Sequence, residues 1–140
     1  MISMSQRADA SMGLQGTDLD VGAFIYVNIP YNTTSPLTLS SAVLPRRCIV
    51  QSIAFVPDAT STNAVTFTAY KAPSGTALGS GTALHSGTGS LQATVNTNAT
   101  LTLAAAAALD VAAGNRIGIV ISGALGAAGS GVVTIALNPA

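Results

Sequence analysis

An all-β, antiparallel β-sandwich is the fold class the sequence predicts, on three observations. Apolar residues alternate with small polar ones at a period of two in several separate stretches. Turn signals rich in Gly, Pro, Asn and Ser recur every ~8–12 residues. No stretch of useful length carries a helical period. A jelly roll is the first expectation, because two packed sheets manage the edge strands, and an immunoglobulin-like sandwich is the alternative. The reading is anchored by Leu109–Gly123, LDVAAGNRIGIVISG. There Ile117, Ile119 and Ile121 fall on one side of a strand while Arg116, Gly118 and Ser122 fall on the other. Gly114 supplies the φ > 0 that a type II turn needs, so a short strand at Leu109–Val111 should turn tightly into the long one.

The other elements follow in order. Residues 1–21 are polar and aperiodic and read as an extended arm, ordered where it lies on something, against the competing reading of a disordered tail, leaving 22–140 as one sandwich domain. Gly22–Ile29 is aromatic and β-branched and stops at Pro30, or lies at an edge, because proline cannot donate to a ladder. Tyr31–Pro36 is a turn cluster, and Leu37 and Leu39 alternate with Thr38 and Ser40 in a short strand. Arg46–Val56, between Pro45 and Pro57, is apolar on both faces and therefore central. After a polar loop at Asp58–Asn63, Ala64–Lys71 places Val65, Phe67 and Ala69 inward. Ala72–Ser90 holds five glycines and reads as loops around one strand, Thr82–His85. Short strands are expected at Leu91–Val95 and Ala99–Leu103, the second with Leu101 and Leu103 inward. Ala104–Ala108 forms one helical turn or an extended link, being too short to nucleate alone. The last strand, Val132–Asn138, turns Val133, Ile135 and Leu137 inward and ends at Pro139.

Composition narrows the function classes. Only 7% of residues are charged, with five basic and five acidic side chains and no net charge. Such a chain has no electrostatic footprint for nucleic acid, and Arg46-Arg47 is its one basic pair. No apolar run reaches the ~18 residues of a membrane span. The start lacks the cationic and apolar regions of a secretory signal, and Cys48 is alone in an apolar strand. Together these favour a protein made and kept inside a cell, or assembled there. With so few charges, part of the neutral surface is expected to be covered by a partner.

The residue chemistry argues against an enzyme. Glu and Trp are absent, and there is one His and one Cys. His85 sits in a Gly- and Ser-rich loop and reads as a surface residue. Asp18 and Asp20 read as a solvated pair rather than a calcium site. Ser74–Gly81 lacks the Lys and following helix of a phosphate loop. No catalytic residue, metal or cofactor is therefore expected. Phe24, Phe55 and Phe67 read as core, Tyr31 and Tyr70 as surface rings, and Tyr26 as either. Expected protein-contact residues are Arg46, Arg47, Tyr31, Tyr70 and Arg116, against the competing reading that each arginine caps a strand end in solvent.

The segment LTLAAAAALDVAAGNRIGIVISGALGAAGSGVVTIALNPA runs from short strand through AG-N turn, apolar strand and Gly-rich loop to a final strand. Together with AVTFTAYKAPSGTAL, it resembles the small capsid decoration, or cement, proteins of tailed phages. The resemblance covers roughly Gly22 to Pro139 in pattern and composition, without an invariant motif, so no family residue carries over as a site. It implies a jelly roll on the outside of an icosahedral virion, made in the host cytoplasm. It also implies the major capsid protein as partner, and a homotrimer that bridges capsid subunits. The alternative is a head-fibre or spike domain that recognises host glycan through Tyr31 or Tyr70.

Overall fold

The structure is a computed structural model that describes residues 24–126 and 128–140. The expected arm at 1–21, its boundary with the domain, and Asp18 and Asp20 lie outside the described residues. Ten strands form two five-stranded antiparallel sheets. The strands are β1 (Ile25–Tyr31), β2 (Thr38–Val43), β3 (Cys48–Ala59), β4 (Thr66–Ala72), β5 (Thr82–Ala83), β6 (Gly89–Ser90), β7 (Ala99–Thr100), β8 (Asp110–Val111), β9 (Arg116–Ile121) and β10 (Ser130–Pro139). A 3₁₀ turn, Leu78–Ser80, and a single helical turn, α1 (Ala106–Leu109), complete the inventory of described elements.

In the first sheet the order is β1-β10-β3-β7, with β8 also on β3; in the second it is β2-β9-β4-β5, with β6 also on β4. Pairing is therefore nested: β1 with β10, β2 with β9, β3 with β7 and β8, β4 with β5 and β6. This is a long hairpin rolled on itself, the jelly-roll topology rather than the immunoglobulin-like alternative. The two-residue strands β5–β6 and β7–β8 each fill one interrupted position.

The period-two residues make the interior. Ile117, Ile119, Ile121, Val133, Ile135 and Leu137 are all at most 2% exposed, as are Ile53 and Phe67. Phe55 of the first sheet meets Phe67 of the second edge-on, with ring centroids 5.1 Å apart and planes at 82°. Leu101 and Leu103 pack against this core only partly buried. β3 and β10 are both central, as dual-faced apolar strands should be. Ala112 O accepts from Asn115 N (3.1 Å) with Gly114 at φ 86°, the expected type II turn.

Several boundaries differ from expectation. β1 runs through Pro30 to Tyr31, which an edge strand permits because its outer N–H positions need no partner. β3 runs through Pro57 to Ala59, and the β3–β10 register shifts there, between Ser130 and Gly131. The expected strand at Leu91–Val95 is a turn, preceded by the two residues of β6. Thr82–His85 divides into β5 and an isolated His85–Leu103 bridge. Phe24 is not core; it is 50% exposed.

One position is set by close approach. A Cβ on Gly118, in the middle of β9, would strike Leu39 O and would stand 2.7 Å from Leu78 Cδ2. Leu78, itself 2% exposed, occupies the space that a side chain at 118 would take. Gly118→Ala is therefore expected to destabilise the fold by about 1–3 kcal/mol through overpacking, read as a lower denaturation midpoint at unchanged m-value.

Candidate interaction surface

The outer faces of the two sheets are treated differently. On the second sheet the segment 73–81 folds back over β9, seating Leu78 on Gly118 and bringing Gly79 beside Val120. Arg116 holds that segment by donating to Thr76 O and, at 3.5 Å, to Pro73 O. Tyr70, half-buried on β4, pairs with Gly118 next to it.

The first sheet's outer face has no such cover among the described residues. Its residues form a grid in three rows across β1, β10 and β3: Tyr26–Ala136–Ser52, Asn28–Thr134–Ala54 and Pro30–Val132–Val56. Thr100 of β7 extends the middle row. All ten are uncharged. Thr134 Oγ1 donates to Asn28 Oδ1 (2.9 Å), so two of the polar side chains satisfy one another. Tyr26 stands 62% exposed at one corner, beside Phe24 with centroids 6.2 Å apart. Between β3 and β10 lies a shallow groove of about 150 Å³, walled by Val56, Val132, Ala54, Thr134, Phe55 and Asn98. A second groove of about 140 Å³ lies along β2 beside Arg116. Each is smaller than the ~300–1,000 Å³ pockets that enclose metabolite-sized ligands.

Arg47, Lys71 and Asp110 gather at one end of the two sheets. Arg47 grips Asp110 with two parallel bonds of 2.8 Å, Nε to Oδ1 and Nη2 to Oδ2. Lys71 Nζ donates to Asp110 O (2.5 Å) and to Ala107 O of α1 (3.4 Å). β8 is thus tied to β3 of one sheet and to β4 of the other. The Arg47 hydrogen bonds hold the Asp110 carboxyl below its ordinary range.

Of the five expected contact residues, none lies on the bare face. Arg47 and Arg116 make the internal bonds just described, and Arg46 is exposed at the start of β3. Tyr70 belongs to the second sheet. Tyr31 is not a surface ring: it is 2% exposed, on the inward parity of Val27 and Ile29, and its Oη has no hydrogen-bond partner among the described residues. Burial, followed by the charge of Asp58, pushes the Tyr31 phenol up to about 12.

His85 is likewise not a surface residue but 4% exposed. Its Nε2 accepts from Ala69 N (2.9 Å), which puts the proton on Nδ1, 3.1 Å from Ser86 O. The imidazole thereby stands in for a strand where β5 has ended, and both its nitrogens are engaged. Cys48 is fully buried, as the sequence implied, and burial pushes its thiol up. Among the described residues no three His, Cys, Asp or Glu side chains gather to hold a metal, and no helix is long and apolar enough to cross a membrane.

Neither a scan of protein-family models nor comparisons with curated proteins and solved structures finds a match to the chain.

Two pH-dependent outcomes follow. Asp110 has a depressed folded-state carboxyl, so its pairing stabilises the fold above the ordinary aspartate range and the benefit disappears as pH falls through it. Asp110→Asn should therefore lower the denaturation midpoint at pH 7 and change it little at about pH 2. Tyr31 is the opposite case: its raised folded-state value stabilises the fold below pH ~10, and the benefit is lost as pH rises towards 12. Tyr31→Phe should remove that alkaline loss. At pH 7 it should be neutral or stabilising by up to about 1–3 kcal/mol, since it deletes a buried hydroxyl without a protein partner.

Proposed function

We propose that this chain is a structural virion protein that binds the outer surface of an icosahedral phage capsid. As a homotrimer it bridges neighbouring capsid subunits and stabilises the shell. The observation that carries this reading is the uncharged three-row grid on the outer face of the first sheet, bordered on β3 by exposed Asp58, on a domain whose described ionisable groups are mostly engaged within the fold. Such a surface suits contact with other protein, because association there desolvates no unpaired charge. The sequence resemblance to tailed-phage decoration proteins supplies the class of partner, the major capsid protein. The mechanism is adhesive: separating two bridged subunits would also require breaking the contacts each makes with this protein. Little of the binding is Coulombic, so it should withstand salt.

A second reading rests on Phe24 and Tyr26, which replace the buried Tyr31 as an exposed aromatic pair. A head-fibre or spike domain would use such rings as a platform for glycan. It predicts glycan binding lost on Tyr26→Ala.

The test is co-sedimentation of the purified protein with empty capsids of the phage that encodes it. The expected result is saturable binding that persists at 1 M salt, where the Debye length is ~3 Å, and raises the temperature at which the shells disassemble. Failure to sediment with capsids, or binding abolished by that salt, would count against the reading.

A further inference from the structure

We propose that His85 is a proton-operated latch: neutral, its imidazole holds one corner of the sandwich shut, and a proton taken up at mildly acidic pH releases that corner. The inference concerns the domain itself and does not depend on a capsid.

The latch stands where the chain changes partner. Just past β5, Leu84 N still donates to Ala69 O of β4 (2.9 Å). An antiparallel ladder would return a bond from Ala69 N to Leu84 O. Leu84 O instead accepts from Ala104 N (3.1 Å), and Ser86 N donates to Thr102 O (2.9 Å), so that His85 bridges Leu103. The segment 101–104 is itself hung on the first sheet, through Leu101 N to Ile53 O (3.0 Å). Ala69, fully buried, is left with an N–H that has lost its ladder partner, and His85 Nε2 supplies the acceptor at 2.9 Å. One side chain thus closes the step from the second sheet to the first.

Only the neutral ring can do this. Nε2 must present its lone pair to Ala69 N–H, so the single proton sits on Nδ1, facing Ser86 O at 3.1 Å. A second proton would go onto Nε2, turn the acceptor into a donor and set two N–H groups against each other. The resulting cation would be buried, since His85 is 4% exposed, and no carboxylate bonds the ring to compensate it. Phe67 of β4 walls it, with ring centroids 6.3 Å apart. The titratable groups of β4 are Tyr70 and Lys71, and Lys71 Nζ is committed to Ala107 O and Asp110 O. On β9, beyond β4, the one charge is Arg116, opposite Ala72 and bonded to Thr76 O. β5, β6 and the segment 99–104 carry no titratable side chain. On β3 the one carboxylate is Asp58, three residues past Phe55, and Asp110 is held by Arg47. The proton therefore enters only with water, by swinging the imidazole out and giving up the bond to Ala69.

The sign follows from proton counting. A free imidazole, as in the unfolded chain, charges near pH 6.5. The closed corner excludes that proton, so the open and unfolded forms bind more protons and stability falls with pH. The chain has a single His and no Glu. Aspartates ordinarily titrate near pH 3.9, and the α-amino, thiol and phenol groups at ~7.7 and above. From pH 7 to pH 5 His85 is thus the group that changes charge.

The experiment uses the full chain without capsids. At pH 7 the long-range ¹H–¹⁵N spectrum of the imidazole should show the proton on Nδ1. Between pH 7 and pH 5 the thermal midpoint should fall by at least about 3 °C. Over the same interval hydrogen-exchange protection of the Ala69 amide should drop at least about tenfold further than that of Ile135 in β10. His85→Gln keeps an acceptor for Ala69 N but takes no proton; its midpoint should be the same at both pH values. A proton on Nε2 at pH 7 overturns the proposal, as does a wild-type midpoint that is flat over this range. A loss of midpoint that persists in His85→Gln overturns it too. Should that variant not fold, the tautomer and the Ala69 exchange of the wild type decide the matter.

Discussion

The fold depends on one interior that both sheets share, and the Phe55–Phe67 contact is where that sharing is most direct. Phe55 comes from the strand at the middle of the first sheet and Phe67 from a central strand of the second. Edge-on at 5.1 Å, each ring presents its positive rim or negative face to the other, a contact worth ~0.5–1.5 kcal/mol beyond the area buried. Around it the inward β-branched side chains of β9 and β10 are fully buried, and branching at Cβ leaves them few rotamers to choose among. Neither sheet could exist alone, because each has one wholly apolar face that water would otherwise wet. The nested pairing follows: to close the interior, the chain lays its first strand on its last, its second on its second-last, and so inward. His85 belongs to the same logic. Where β5 stops short, a buried N–H on β4 still needs an acceptor, and the imidazole supplies it.

With the inner faces committed to each other, the outer faces carry the functional question. The second sheet is closed by the chain's own segment, held down by Arg116 and keyed into β9 by the missing side chain of Gly118. Arg47 just before β3, Lys71 of β4 and Asp110 of β8 meet at one end, where they lock the two sheets together. What remains on the first sheet is a grid of small uncharged side chains with one ring standing above it and Asp58 beyond its end. An ordinary solvated sheet face of this size would be marked by lysines and glutamates, which also guard against unwanted association. Here Ala, Val, Thr and Asn take their place, in keeping with a chain of which only 7% is charged.

Much of this was legible in the sequence because long strands advertise themselves. β4, β9 and β10 carry enough alternating residues for the period of two to stand out, β3 shows as a run apolar on both faces between two prolines, and the AAGN turn is dictated by Gly114. The two-residue strands are not legible, since two residues have no period; their pairing is imposed by the neighbours they lie against. Tyr31 reads as a surface ring because Pro30 and the following Asn, Thr and Ser look like a turn. Counting the alternation of Val27 and Ile29 through the proline would have placed it inside. Phe24 was assigned to the core on residue type alone, although it precedes the first paired strand. His85 and the Arg47–Asp110 pair were invisible for another reason. Their partners lie 16 and 63 residues away, and only the closed fold brings them together. The bare face was the hardest to foresee, because it is defined by what does not cover it.

The distribution of charge also constrains how such a surface works. Of the charged side chains described, Arg47, Asp110, Lys71 and Arg116 are bonded within the fold, so the field outside the molecule is weak. A partner for such a surface would be met without long-range steering, at the ~10⁵–10⁶ M⁻¹s⁻¹ of neutral proteins. Affinity must instead come from slow dissociation, which depends on packing and on excluding water from the centre of the contact. A rigid sheet face serves this well, because its side chains are already ordered by the ladder and lose little further freedom on docking. Small residues serve it as well, since they carry few rotamers to freeze. The alternation that builds the interior therefore also prepares the exterior: the same strand geometry that turns Ile53, Phe55, Val133 and Ile135 inward sets Ala54, Val56, Val132 and Thr134 in fixed rows outward.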